Sequence, residues 1–134
     1  MPHLVILYTA NLERESDMTA LCRALADTML AVKDEDGKQV FPTGGVRVLA
    51  YPAAHSAVAD GTGDHAFAYL NLRMGRGRSD AAKKNASEAL AAATRAHFAS
   101  ILARRPVGVT LQIDEGPEVF DAKLGNLHSL FNKA

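Results

Sequence analysis

The chain has 134 residues, enough to form one domain that buries most of its apolar surface without disulfides or metals. Fifteen Lys and Arg balance fifteen Asp and Glu, so the formal charge at pH 7 is zero and there is no electrostatic case for a nucleic-acid or membrane-surface partner. No charged leader runs into an apolar stretch with a small-residue cleavage site, and no apolar run nears membrane-spanning length; a soluble, unexported, cytoplasmic protein is expected.

The first eight residues, Met1 to Tyr8, are a strand-like apolar run interrupted only by His3, the pattern of a strand covered on both faces. After a polar connection, Met18, Leu21, Cys22, Leu25, Met29 and Val32 recur at three- and four-residue steps behind Ser16 and Asp17, either of which can cap a helix. Cys22, on that apolar stripe, reads as a small buried hydrophobe, and a lone cysteine fits a reducing compartment. The charged stretch Lys33 to Lys38, broken by Gly37, ends the helix as a solvated loop. Pro42-Thr43-Gly44-Gly45 turns the chain into a second strand, Val46 to Tyr51, and Ala66 to Leu72 reads as a third. Ser79 or Asp80 can cap a long second helix carrying Ala82, Ala86, Leu90, His97 and Ile101 on one side, which Arg104-Arg105-Pro106 ends. Val107 to Ile113 is a fourth strand, and apolar Leu127, Leu130 and Phe131 are expected to dock on the fold or on a neighbouring subunit.

The order strand-helix-strand occurs twice, with halves at about 2–53 and 65–115 and an extension over 116–134 in one domain, 1–134. Two right-handed crossover units can share a four-stranded mixed sheet with both helices on one face, an α+β arrangement. With no third long helix to cover the other face, a closed homo-oligomer is expected.

Two residues and one short run invite chemistry. If Met1 is removed, Pro2 becomes a secondary amine on a rigid ring at the head of a strand. An α-amino group titrates at roughly 7.7–8.0, and burial or nearby cations lower that value toward what a general base needs. Taken alone, Pro2 supports the plainer reading of an ordinary processed start. Arg47 interrupts an apolar strand; it asks for an anionic ligand, or for an acid from elsewhere in the assembly. Gly75-Arg76-Gly77-Arg78-Ser79 combines glycines, cations and a helix start, which suits either an anion pocket or a solvated turn. His3, His55, His65, His97 and His128 show no metal-ligand spacing, so no metal is assigned, and His97 reads as a satisfied core histidine. Asp34-Glu35-Asp36 and Asp114-Glu115 read as solvated ends rather than a catalytic pair.

Met1-Pro2-His3, Phe41-Pro42 leading to Gly45-Val46-Arg47, Ala59-Asp60-Gly61, Asp64-His65-Ala66-Phe67, Gly75-Arg76-Gly77-Arg78-Ser79 and His128-Ser129-Leu130-Phe131 occur in that order along nearly the whole chain. Together they resemble the 5-carboxymethyl-2-hydroxymuconate isomerase family of the tautomerase superfamily. The resemblance implies a trimer of repeated strand-helix-strand units with sites near subunit boundaries. It also implies a cofactor-free isomerase that moves a proton in an unsaturated 2-hydroxy dicarboxylic acid during catabolism of an aromatic acid, homoprotocatechuate. Pro2 would be the base, and Arg47 and Arg78 would grip carboxylates, with Arg47 also acting in catalysis. Leu7 stands where a well-known relative has an acidic residue, the Lys33–Lys38 loop is longer, and Arg76 adds a cation; these departures bear on the substrate more than on the chemistry. The alternatives are a related superfamily enzyme on another keto–enol acid and a non-catalytic trimeric binding module. A hydrolytic dehalogenase would need a water-activating carboxylate, and none is evident beside the arginines.

Overall fold

The computed structural model describes residues 2–131. Its strands are β1 (His3–Thr9), β2 (Arg47–Ala53), β3 (Ala66–Met74) and β4 (Val107–Glu115), and its helices α1 (Met18–Ala31), α2 (Asp80–Arg104) and the short α3 (Leu127–Phe131). The sheet order is β2-β1-β3-β4. β1 pairs parallel with β2, and β3 parallel with β4, while β1 and β3 run antiparallel at the centre. A parallel pair needs a crossover rather than a hairpin, and α1 and α2 supply the two crossovers. The fold is therefore the α+β arrangement of two β-α-β units that the repeat implied.

Local chemistry explains the helix boundaries. Asp17 caps α1 by accepting a hydrogen bond from the Ala20 amide, and Ser79 caps α2 by accepting one from Ala82. Each such cap contributes about 1 kcal/mol. Arg105, after the end of α2, pairs with Glu15 and donates to the Asp64 carbonyl, tying that end to the loops before α1 and β3.

Burial alternates along the central strands. Leu4, Ile6 and Tyr8 of β1 and Ala68, Leu70, Leu72 and Met74 of β3 face the helices, where Leu21, Leu25, Met29, Leu90, Phe98 and Ile101 complete the core. Each fully buried leucine contributes about 2 kcal/mol. Both helices lie on this face, so the described residues cover β1 on one side, and the second cover that its apolar run suggested does not come from them. On the other side Leu7, Leu49 and Tyr51 are each about half exposed, at 49%, 47% and 50%. They are neighbours in register, Leu7 opposite Tyr51 and Val5 opposite Leu49. Tyr8, on the core side, bonds Glu13, and burial followed by that bond pushes its hydroxyl up to about 12.

The Lys33–Lys38 loop is more ordered than a plain solvated stretch. Asp34 accepts from the Asp36 and Lys38 amides, and Glu35 accepts from Ser79 Oγ at 2.7 Å. The tail docks on the chain's own 3-10 turn, Thr43–Gly45. A Cβ added to Gly44 would lie 2.9 Å from His128 Cα, so α3 sits this close only because position 44 is glycine.

His97 is half-buried, with Nε2 2.8 Å from Ser16 Oγ and its ring edge-on to Phe98. Burial lowers its pKa below the ordinary value, a shift that Asp17 partly opposes. The folded state then binds fewer protons than the unfolded chain just below pH ~6.5, so stability is full above that pH and falls as the pH drops through the shifted value. Urea midpoints measured from pH 7.5 to 5 should decline in the wild type. The decline should flatten in His97→Gln; an unchanged slope would remove His97 as its cause.

Candidate active site

Topology brings one end of each half together. The heads of the parallel strands β1 and β2 lie side by side, and because β3 runs antiparallel to β1, its exit lies at the same end. His3 is the register partner of Arg47 on one flank and of Arg73 on the other. Pro2, immediately before His3, is buried. The assignment of Pro2 as a free amine depends on removal of Met1, which lies outside the described residues.

Arg47 opens β2 and is exposed rather than half-buried, so the desolvation cost expected of a charge within an apolar strand is not incurred. No ion pair to Arg47 is found among the described residues. It lines a cleft of about 450 Å³ with His3, Asp121, Lys123, Leu124, Leu127 and His128. The only carboxylate among the described residues of that lining, Asp121, pairs with Lys123 at 3.5 Å.

Arg78 lies past the exit of β3, on the other flank of β1. The preceding run turns through Gly77, whose φ of 110° lies in the left-handed region that an L side chain rarely adopts. Arg78 is half-buried, with its guanidinium 5.0 Å from the centroid of the fully buried Phe41 ring. Nη1 donates to the Gly75 carbonyl at 3.1 Å, while Nε is buried and has no hydrogen-bond partner among the described residues. Burial lowers the guanidinium pKa, an effect that Glu115 partly offsets. A buried donor left unsatisfied costs about 1–3 kcal/mol, and a carboxylate placed against it would recover that cost. Of the two readings of the Gly-Arg run, a wholly solvated turn does not describe Arg78, which is half-buried against Phe41. Arg76, by contrast, is exposed.

Asp114 and Glu115 extend β4 rather than fraying. Asp114 accepts from Asn71 Nδ2 at 2.8 Å, and Glu115 pairs with Lys83 at 3.3 Å. No group of three or more His, Cys, Asp or Glu able to hold a metal occurs among the described residues. No described helix is long and apolar enough to cross a membrane. Phe41 and the 121–128 segment were not singled out as site elements from sequence. Phe41 lies inside a quoted motif, but its role under Arg78 is a contact across 37 residues that no local pattern reports.

The family model for 5-carboxymethyl-2-hydroxymuconate isomerase matches residues 2–131. The chain belongs to that family. Its activity class follows, an isomerase. A solved 5-carboxymethyl-2-hydroxymuconate delta-isomerase is 61% identical, with a TM-score of 0.94 over 100% of this chain and 95% of that one. The Deinococcus radiodurans R1 isomerase structure is 36% identical, with a TM-score of 0.86 over 98% and 95% of the two chains. The Escherichia coli 5-carboxymethyl-2-hydroxymuconate Delta-isomerase is 28% identical over 98% of this chain and 99% of its own length. At the level of fold alone, a fused 4-OT symmetric trimer superposes with a TM-score of 0.59 at 23% identity over 96% and 97% of the chains, in line with a tautomerase-like architecture.

Proposed function

We propose that this isomerase converts 5-carboxymethyl-2-hydroxymuconate into its conjugated 2-oxo isomer, in catabolism of homoprotocatechuate, with Pro2 as the base and Arg47 and Arg78 as carboxylate ligands. With Met1 removed, the Pro2 amine takes the proton of the 2-hydroxyl, and electrons move through the diene as the carbonyl forms. Pro2 then delivers that proton to a carbon of the same chain. Nothing else is gained or lost, so the chain's own groups suffice for the reaction. The arginines hold the ends of the substrate and stabilise negative charge as it spreads over the conjugated system. In this reading Arg47 acts on the reacting system as well as binding a carboxylate.

The observation that carries this reading is the Arg78 donor, buried and unpartnered at the sheet end where β1 begins. Topology supports it: β2 begins and β3 ends beside the head of β1, so Arg47 and the Gly75–Ser79 run lie at the same end of the sheet. The test is ultraviolet-monitored turnover of 5-carboxymethyl-2-hydroxymuconate by protein whose N-terminus has been verified by mass spectrometry. Rapid conversion by Met1-free protein is expected; none would overturn the assignment.

We further propose a homotrimer of this chain in which the open sheet face is covered. Its support is the contiguous exposed patch of Leu7, Leu49, Tyr51 and Phe67, which is costly to leave in water. Sedimentation should give about three times the 14.3 kDa chain mass, and Tyr51→Asp should shift the protein to smaller species. A wild-type monomer at micromolar concentration would refute the trimer.

A further inference from the structure

The named substrate poses a charge-counting problem. A muconate carries two carboxylates, and the carboxymethyl arm adds a third, whereas Arg47 and Arg78 account for two. The two sides of His3 differ in what they can offer the third. On the β3 side, a small cleft lined by His3 and Arg73 also contains Glu118 and Asp121, so its one arginine faces two carboxylates. On the β2 side, the larger cleft has Arg47 and Lys123 against Asp121 alone, with His3 and His128 as further lining groups. The positive surplus therefore lies around Arg47.

His3 is the lining residue bound most closely to the reacting end of the chain. It follows Pro2 directly, is exposed, and stands opposite Arg47 in the parallel register. In either protonation state an imidazole can present an N–H to a carboxylate. Resting on the proposed function above, we infer that His3 and Lys123 join Arg47 in a subsite for the carboxymethyl carboxylate, making them specificity-determining residues for the triacid over the plain diacid. Lys123 comes from the extension beyond β4, so that extension is a working wall of the site. Asp121 holds Lys123 beside the cleft and exchanges it to the substrate.

The experiment compares kcat/KM for 5-carboxymethyl-2-hydroxymuconate and for 2-hydroxymuconate, which lacks the arm, in wild type, His3→Leu and Lys123→Gln. Loss of a hydrogen bond to a charged group should lower the triacid value about 10- to 100-fold. The triacid-to-diacid ratio should fall in both variants, mainly through KM. Lys123 is 58% exposed, so Lys123→Gln keeps the test decisive should His3→Leu fail to fold. Equal losses on both substrates, or none, would overturn the subsite while leaving the isomerase reading intact. Wild-type inactivity on both would remove the isomerase reading and the subsite with it.

Discussion

Pro2→Ala, in protein shown to lack Met1, is expected to lower kcat/KM by about 10²-fold, at the low end of what a positioned general base contributes. The loss is partial because alanine still presents an α-amine at the same strand head. What disappears is the ring, which makes the amine secondary and fixes its direction as the chain enters β1. Pro2 is buried beside a strand paired on both edges, so a mobile primary amine would have to be ordered at entropic cost. Protein retaining Met1 should be inactive, since an amide nitrogen has no basicity, and its sedimentation should match the wild type. Equal turnover by Pro2→Ala and wild type, or full activity with Met1 in place, would show that the proton is carried by another group.

Removing Arg78 should have the second largest effect. Arg78→Ala is expected to cost about 10²–10³-fold in kcat/KM, the scale for loss of one electrostatic donor at a developing charge. Arg78→Lys separates charge from geometry. A lysine keeps the cation but loses the planar fork and the face that lies over Phe41, so it should recover only part of the loss. Arg78 also holds the Gly75 carbonyl, which makes a thermal melt of each variant necessary. A variant that melts like the wild type and has lost activity implicates the carboxylate grip; one with unchanged kinetics takes Arg78 out of the site.

Much of this molecule could be read from residue order. Period-three-and-four apolar spacing behind Asp17 and Ser79 yields helices because a capping side chain and an amphipathic stripe are local properties. The duplicated strand-helix-strand order implies parallel pairs because a parallel connection needs a crossover. The family resemblance, carried by short motifs from Met1-Pro2-His3 to His128-Ser129-Leu130-Phe131, agreed with the family match over residues 2–131.

Other features depended on contacts between distant residues. Exposure of Arg47 follows from its place as the first residue of an edge strand, which a run of apolar neighbours does not disclose. The described chain covers one face of β1, and apolar content reports that a surface is to be covered, not whether the cover comes from the same chain. Phe41 beneath Arg78, α3 seated against Gly44, and Lys123 in the cleft of Arg47 all arise where segments distant in sequence meet. The sequence by itself determined the elements and their order and marked Arg47 and the Gly75–Ser79 run as cationic candidates, since those are written in local patterns; Pro2 as the proton carrier is what the family resemblance implies. Only the tertiary structure decided which cation keeps a buried donor open and which face of the sheet is left bare, since both depend on what the folded chain places against them.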